Sequence, residues 1–227
     1  MPAGKEGTVM PRGSEELTNS RKNEIISACA RLYETMSFKE ITLKEIGKET
    51  SFTRTSIYNY FQTKEEIFLA LFQREYEAWI KDLEMMYRQN ERMSVDEFAG
   101  AIAHTLEKRE RLLKLLAMNH YDMEAASRME NLIDFKKAYR DALRAVSCCL
   151  EKFFPKTTVS DIQEFIYAFF PFLFGVYPYT VVTEKQKEAM DAAGVNYLRL
   201  SIYEIVDSMV KKLLYGVRIE DPLTEDL

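Results

Sequence analysis

At five places in this chain a Ser or Thr is followed three residues later by a Glu or Gln: Thr42–Glu45, Thr63–Glu66, Ser94–Glu97, Ser127–Glu130 and Ser160–Gln163. At that spacing each side chain can satisfy the other residue's orphan backbone N–H, and the pair marks the start of an α-helix. The apolar pattern agrees. Ile25, Cys29, Leu32 and Met36 form one stripe at steps of three and four. Leu132, Phe135, Tyr139, Val146, Leu150 and Phe153 form a second, and Leu198, Ile202, Ile205, Met209 and Leu213 a third. Nothing alternates as a strand would, and no internal repeat is visible. Eight Gly and six Pro in 227 residues leave little to interrupt helices. The expectation is an all-α fold of about nine helices, three short ones up to Phe61 and about six longer ones.

Residues 1–19 hold no apolar run of the kind a secretory signal needs and read as a flexible arm. Residues 20–65 read as a small three-helix domain, and residues 66–227 as a larger helical one. The net charge of −5 gives the chain no general attraction to nucleic acid, so any DNA binding must come from a local arrangement.

One stretch offers such an arrangement. Thr42 caps LKEIGKE, and Ile41 and Ile46 stand where a hydrophobic staple would. The link TSF follows, and Thr53 then caps RTSIYNYF, with Phe52 and Ile57 repeating the staple. Two brief helices joined by about three residues form a helix-turn-helix, with a helix from Ser20 to Met36 packing across both. The second helix, Arg54 to Phe61, has only Ile57, Phe61 and one face of Tyr58 to bury, and it carries no acid. A helix lying in the major groove needs that omission, because phosphates on both sides repel carboxylates. Arg54 suits a guanine edge, and Asn59 an adenine edge or a phosphate. The hydroxyls of Thr53, Thr55 and Ser56 suit phosphates that fix register. Tyr58 has two candidate roles, packing and phosphate contact.

These residues, IGKETSFTRTSIYNYFQTKEEIF, resemble the helix-turn-helix signature of the TetR family of bacterial transcriptional regulators. Ile46, Phe52, Thr53, Ile57, Tyr58, Tyr60, Phe61, Lys64 and Glu65 match it in position and type, over about residues 20–70. The resemblance implies that Thr42, Tyr58 and Lys64 contact phosphates and that Arg54, Thr55, Ser56, Asn59 and Tyr60 lie nearest the bases. Ser51 and Thr55 stand where the family often has glycine, and Asn59 and Tyr60 are not its commonest choices, which leaves the operator sequence open.

One reading helix covers few base pairs, so useful specificity needs a homodimer on double-stranded operator DNA with two half-sites. The late apolar helices, roughly 160–181 and 195–215, are the candidate dimer face, and the resemblance implies the same. The middle of the chain is rich in Met and aromatic residues. His104, Met118, Tyr121, Tyr167, Phe169 and Phe172 are candidates for the wall of a pocket for an apolar or aromatic small-molecule effector. Plain core packing is the competing reading of each. Pro171 should bend its helix and open space beside it.

No catalytic constellation appears, and no metal or cofactor is expected: two histidines and an adjacent cysteine pair lack the spacing of a metal cage. Phe165 to Val182 is uncharged, but Pro171, Gly175 and Pro178 argue for a buried helix rather than a membrane span. Three cysteines, two of them neighbours that make a poor disulfide pair, suggest a reducing compartment and hence the cytoplasm. The whole reads as a non-enzymatic, ligand-responsive repressor. The alternative is a DNA-associated helical adaptor controlled by a protein partner.

Overall fold

The computed structural model describes residues 12–118 and 120–216, leaving aside the side chains of residues 12–14, 54 and 122. Eleven helices occur among them: α1 (Arg12–Thr35), α2 (Leu43–Lys48), α3 (Arg54–Ile57), α4 (Lys64–Gln89), α5 (Val95–Glu107), α6 (Glu110–Leu116), α7 (His120–Ala125), α8 (Met129–Phe153), α9 (Val159–Thr180), α10 (Glu184–Ala192) and α11 (Ile202–Gly216). No strand occurs among the described residues. The surplus over nine comes from short helices such as α6, α7 and α10, of 7, 6 and 9 residues. Of the expected arm, residues 12–19 are the first turns of α1, which therefore starts before its apolar stripe does. Residues 1–11 lie outside the described residues.

The caps sort into local and borrowed ones. Ser94–Glu97 closes as a full capping box on α5. Thr42 caps α2 by accepting the N–H groups of Lys44 and Glu45. On α9 the box lies two residues before its expected place, at Thr158 and Asp161. The Ser127 hydroxyl donates to the Met123 carbonyl at 2.7 Å instead of capping α8. Thr63 accepts the Glu66 N–H at 3.2 Å, but the Glu66 carboxylate is engaged elsewhere.

Two compact units divide the chain. One holds residues 1–71 with Tyr121–Leu132, the other Phe72–His120 with Ile133–Leu227. Contacts therefore do not divide at residue 65, and a stretch beginning at Tyr121 belongs with the helix-turn-helix.

In the first unit Ile25, Cys29, Tyr33, Ile41, Ile46, Ile57, Phe61 and Phe68 are buried, with the Tyr33 ring edge-on to Phe68 at 5.2 Å. In the second, Phe72 stacks on Tyr76 at 4.9 Å and meets Phe135 at 4.9 Å, and Trp79 faces Phe170 at 5.9 Å. The Trp79 indole N–H donates to the Thr105 hydroxyl at 2.9 Å, so its one polar atom is satisfied inside the core.

By length and composition α9 is long and apolar enough to cross a membrane. It continues unbroken through Pro171 and Pro178. Pro171 faces outward, where the carbonyl it leaves unpaired can meet water. Ile162, Phe165, Phe169, Phe170, Leu173 and Val176 are buried on the other face. On α11 the buried residues are Ile202, Val206, Val210 and Leu214, which pack toward α5 and α9. Four of the five residues in the expected stripe fall elsewhere: Leu198 is exposed, and Ile205, Met209 and Leu213 are half-buried.

Candidate nucleic-acid interface

Thr53 opens α3 with extended backbone and accepts the Ser56 N–H at 3.4 Å. The α-helix proper is four residues long, Arg54–Ile57, not the eight expected. Beyond it the chain makes tighter turns, with the N–H groups of Asn59 and Tyr60 donating to Ser56 O at 3.3 Å and Ile57 O at 2.9 Å. Small hydroxylated residues compete with the helical backbone for bonds, and only Ile57 and Phe61 are buried to hold the element in place.

That burial fixes what faces out. Thr53, Thr55, Tyr58 and Asn59 are exposed, and Ser56 and Tyr60 are half-buried. Tyr58 is 45% exposed, so packing occupies only part of its ring. Arg54 begins the helix, and its side chain lies outside the described residues. Thr42 is exposed at the start of α2.

The turn between the two helices is held from α1, a set of contacts that sequence reading missed. Glu24 accepts the Ser51 N–H at 2.6 Å, and Arg21 donates to the Ser51 hydroxyl at 3.1 Å while its guanidinium lies 4.7 Å from the centre of the Phe52 ring. The Ser51 backbone and hydroxyl bonds hold the Glu24 carboxyl below the usual carboxylate range. Arg31 donates to Glu49 O at 2.9 Å. The available signal was the Arg21/Glu24 spacing of three on one helix, which also reads as an ordinary surface pair.

Lys64 does not project freely. Its ammonium donates to Phe38 O at 2.7 Å and Ile41 O at 3.1 Å and lies 4.2 Å from the Phe38 ring centre. A cleft of about 400 Å³ lined by Thr42, Leu43, Lys44, Thr63, Lys64 and Glu65 adjoins it. Lys44, exposed in the first turn of α2, is a basic residue that the sequence reading passed over.

Among the candidate effector residues Phe169 and Phe172 meet, their ring centres 6.4 Å apart. His104 is exposed, 3.4 Å from Glu107 and against the Tyr203 ring. Tyr121 and Tyr167 are 86% and 79% exposed, Phe169 is fully buried among phenylalanines, and Met118 and Phe172 are half-buried. Being apolar at helical spacing says which residues seek burial, not which meet. An open groove of about 740 Å³ runs instead between α4 and α8, and none of the six lines it. Its floor includes Ile80, Leu83 and Ala145, and Lys81, Arg88 and Arg144 stand along it with Glu77, Glu84 and Asp141. Cys149 lies there as well; burial first, then the neighbouring Cys148, push its thiol up to about 12, which makes it unreactive. Among the described residues no cluster of His, Cys, Asp and Glu could hold a metal ion.

Comparison with known proteins places both halves. Residues 25–71 match the family of bacterial regulatory proteins described as tetR, and residues 73–221 match the tetracyclin repressor-like C-terminal domain. An uncharacterized HTH-type transcriptional regulator, YfiR of Bacillus subtilis (strain 168), is 26% identical over 74 residues, 33% of this chain. The chain thus spans 36% of the length of that curated relative. The fatty acid degradation regulator FadR of Bacillus halodurans has a similar fold: TM-score 0.56, 16% identity, covering 96% of this chain and 100% of that one. FadR of Bacillus subtilis, solved in complex with stearoyl-CoA, gives a TM-score of 0.57 at 15% identity, covering 86% and 98%.

Proposed function

We propose that this chain, which belongs to the TetR family of bacterial regulatory proteins, acts in the cytoplasm as a homodimeric repressor of a palindromic operator, released by a small-molecule effector. The family is one of DNA-binding regulators, not enzymes. The observation that carries the proposal is the outward, acid-free edge of α3 and its following turn. Thr55, Tyr58 and Asn59 face solvent while Ile57 and Phe61 anchor the element from behind. Thr42, Thr53 and Tyr58 hold phosphates and fix register, and Arg54, Thr55, Ser56, Asn59 and Tyr60 lie nearest the bases.

Dimerisation is supported by apolar surface that the single chain leaves uncovered. Tyr167, Ala168 and Pro171 are exposed along α9, and Leu198 and Tyr215 are exposed at either end of α11. Two such pairs of helices around a two-fold axis make a four-helix interface. For the effector, the α4/α8 groove combines an apolar floor with three cations and three carboxylates, Arg88 being paired with Glu84, which suits an apolar ligand carrying a polar group. The stearoyl-CoA bound by the Bacillus subtilis FadR makes long-chain acyl-CoA the first class to test.

Selecting bound sites from random DNA tests the reading. A symmetric site is expected, with affinity falling steeply as salt rises. The Arg54→Ala/Asn59→Ala variant should lose the site preference while keeping the fold. Recovery of no enriched sequence, or enrichment unchanged in that variant, overturns the assignment. If DNA binds but no acyl-CoA or aromatic compound shifts thermal stability, control by a protein partner is favoured instead.

A further inference from the structure

Glu66 has a fully buried side chain, and a buried carboxylate must be compensated. Its spacing from Thr63 suggests nothing more than a local cap. The structure gives it a partner 62 residues away: Arg128 donates to Oε1 from Nε at 2.6 Å and to Oε2 from a terminal nitrogen at 2.9 Å. This is the two-point geometry that suits a guanidinium and not an ammonium. The carboxylate also accepts the Gln62 N–H at 2.8 Å, just before α4, and the Arg128 backbone N–H at 3.1 Å, just before α8.

The same Arg128 nitrogen that meets Oε2 also reaches Tyr60 O at 3.3 Å. That carbonyl closes the turn following the reading helix, where no helical N–H is left to meet it. A second rivet lies beside it, where the Thr63 hydroxyl donates to Ala126 O at 3.2 Å. Residues Tyr121–Leu132 accordingly cluster with the helix-turn-helix, while α8 from Ile133 onward belongs to the other unit. The division runs through one continuous helix, Met129–Phe153.

We propose that Arg128 is a positioning residue for DNA reading: with Glu66 it latches the carbonyl end of the reading segment at Tyr60 to the start of α8, so that operator binding and the state of residues 121–132 are coupled. The coupling rests on the proposed DNA-binding function; the latch itself does not. A bond from Tyr60 to α8 gives the reading segment a second state, released, that a change anywhere along α8 can favour. By reciprocity, DNA that fixes the reading segment must also fix the start of α8.

Arg128→Lys is the decisive variant. It keeps the charge opposite Glu66 but cannot span both carboxylate oxygens and the Tyr60 carbonyl. In the free full-length protein, amide exchange of residues 59–62 should speed up by about tenfold while global stability holds. With the operator found by selection, wild type should gain protection at 121–132, and Arg128→Lys should lose that gain while keeping protection at 54–58. Exchange at 59–62 that matches wild type overturns the proposal. So does exchange that rises only in step with a fall in global stability, because Arg128 would then be merely structural. Operator-induced protection at 121–132 that persists in the variant, or is absent from wild type, also overturns it. Should Arg128→Lys fail to fold, Glu66→Gln, which keeps the apolar stem, decides the latch by whether exchange at 59–62 speeds up by more than its fall in global stability accounts for. If the protein binds no DNA, the function above fails, and the DNA-free exchange still decides the latch.

Discussion

The unit that carries the reading segment and the unit that carries the aromatic core are held by different forces. In the first, short elements bury few side chains, and position comes from bonds with direction. Glu66 is gripped by Arg128, the Lys64 ammonium holds two carbonyls, and Glu24 and Arg21 pin Ser51. In the second, rings pack on rings: Phe72 with Tyr76 and Phe135, Trp79 with Phe170, Phe98 with Phe154. A four-residue helix has too little apolar area to fix its own orientation, so charge-assisted bonds supply it. The difference sets how each unit responds to change. The aromatic unit should be sensitive to lost volume, and the reading unit to lost geometry.

The largest expected effect lies in the aromatic unit. Trp79→Ala removes a fully buried indole together with the N–H that the Thr105 hydroxyl accepts, and should cost about 3–5 kcal/mol. Urea denaturation followed by far-ultraviolet dichroism measures it. A cost below about 1 kcal/mol would mean that the core can collapse into the space and that volume is not what this unit depends on.

Next comes the ion pair of the reading unit. Breaking a buried pair typically costs about 3–5 kcal/mol, but Arg128 is 36% exposed and can regain water, so Glu66→Ala should cost nearer 2 kcal/mol. Its pH dependence is also fixed in sign. Burial pushes the Glu66 carboxyl up, but the Arg128 guanidinium and the Gln62 and Arg128 backbone N–H groups more than offset this and hold it below 4.5. A carboxyl lowered on folding stabilises fully above its unfolded value, and that stabilisation is lost as pH falls through the lowered one. The stability gap between wild type and Glu66→Gln should therefore stay constant from pH 7 down to about 5 and close in stronger acid. A gap that opens between pH 5 and 7 would contradict this ordering.

The same contrast explains what the sequence disclosed. Thr42 and Thr53 act on neighbours within three residues, and Ile46 and Ile57 are buried at the helical spacing that follows, so the helix-turn-helix could be read from spacing alone. Glu66 obeys the same spacing rule, yet its carboxylate serves a residue 62 positions away, and the pattern cannot distinguish the two uses. On α11 two apolar stripes run side by side, and Ile202, Val206, Val210 and Leu214 won burial over Ile205, Met209 and Leu213 because of where α5 and α9 lie. Pocket residues depend on such meetings between helices. His104 and Tyr121 had the right chemistry for a pocket and face solvent.

Two capping residues make a finer test. Ser94 caps α5 in the aromatic unit, and Thr53 caps α3 in the reading unit. Alanine at either should cost about 1 kcal/mol locally. Because α5 carries seven buried residues, the Ser94→Ala loss should appear in global denaturation. The Thr53→Ala loss should appear first as faster amide exchange at 54–58 and weaker operator binding, with a smaller change in the denaturation midpoint. Equal midpoint shifts in the two variants would mean that α3 unfolds only with the rest of the chain.

The smallest effect is expected in α10, which belongs to neither mode of stabilisation. Its ends are well specified: Thr183 and Gln186 form a capping box, and Gly194, at φ 67°, closes a C-terminal motif in which the Val195 N–H donates to Met190 O at 2.9 Å. Yet α10 has no buried residue, and nine residues are too few for a lone helix to be stable in water. Local signals thus fix its shape without attaching it to a core. Gly194→Ala forces a side chain into a left-handed conformation at a local cost of about 1 kcal/mol. If α10 opens independently, that cost should speed exchange at 184–194 and move global stability by less than about 0.5 kcal/mol. A full 1 kcal/mol loss in global denaturation would show that α10 melts with the core, by contacts that its exposed surface in the single chain does not reveal.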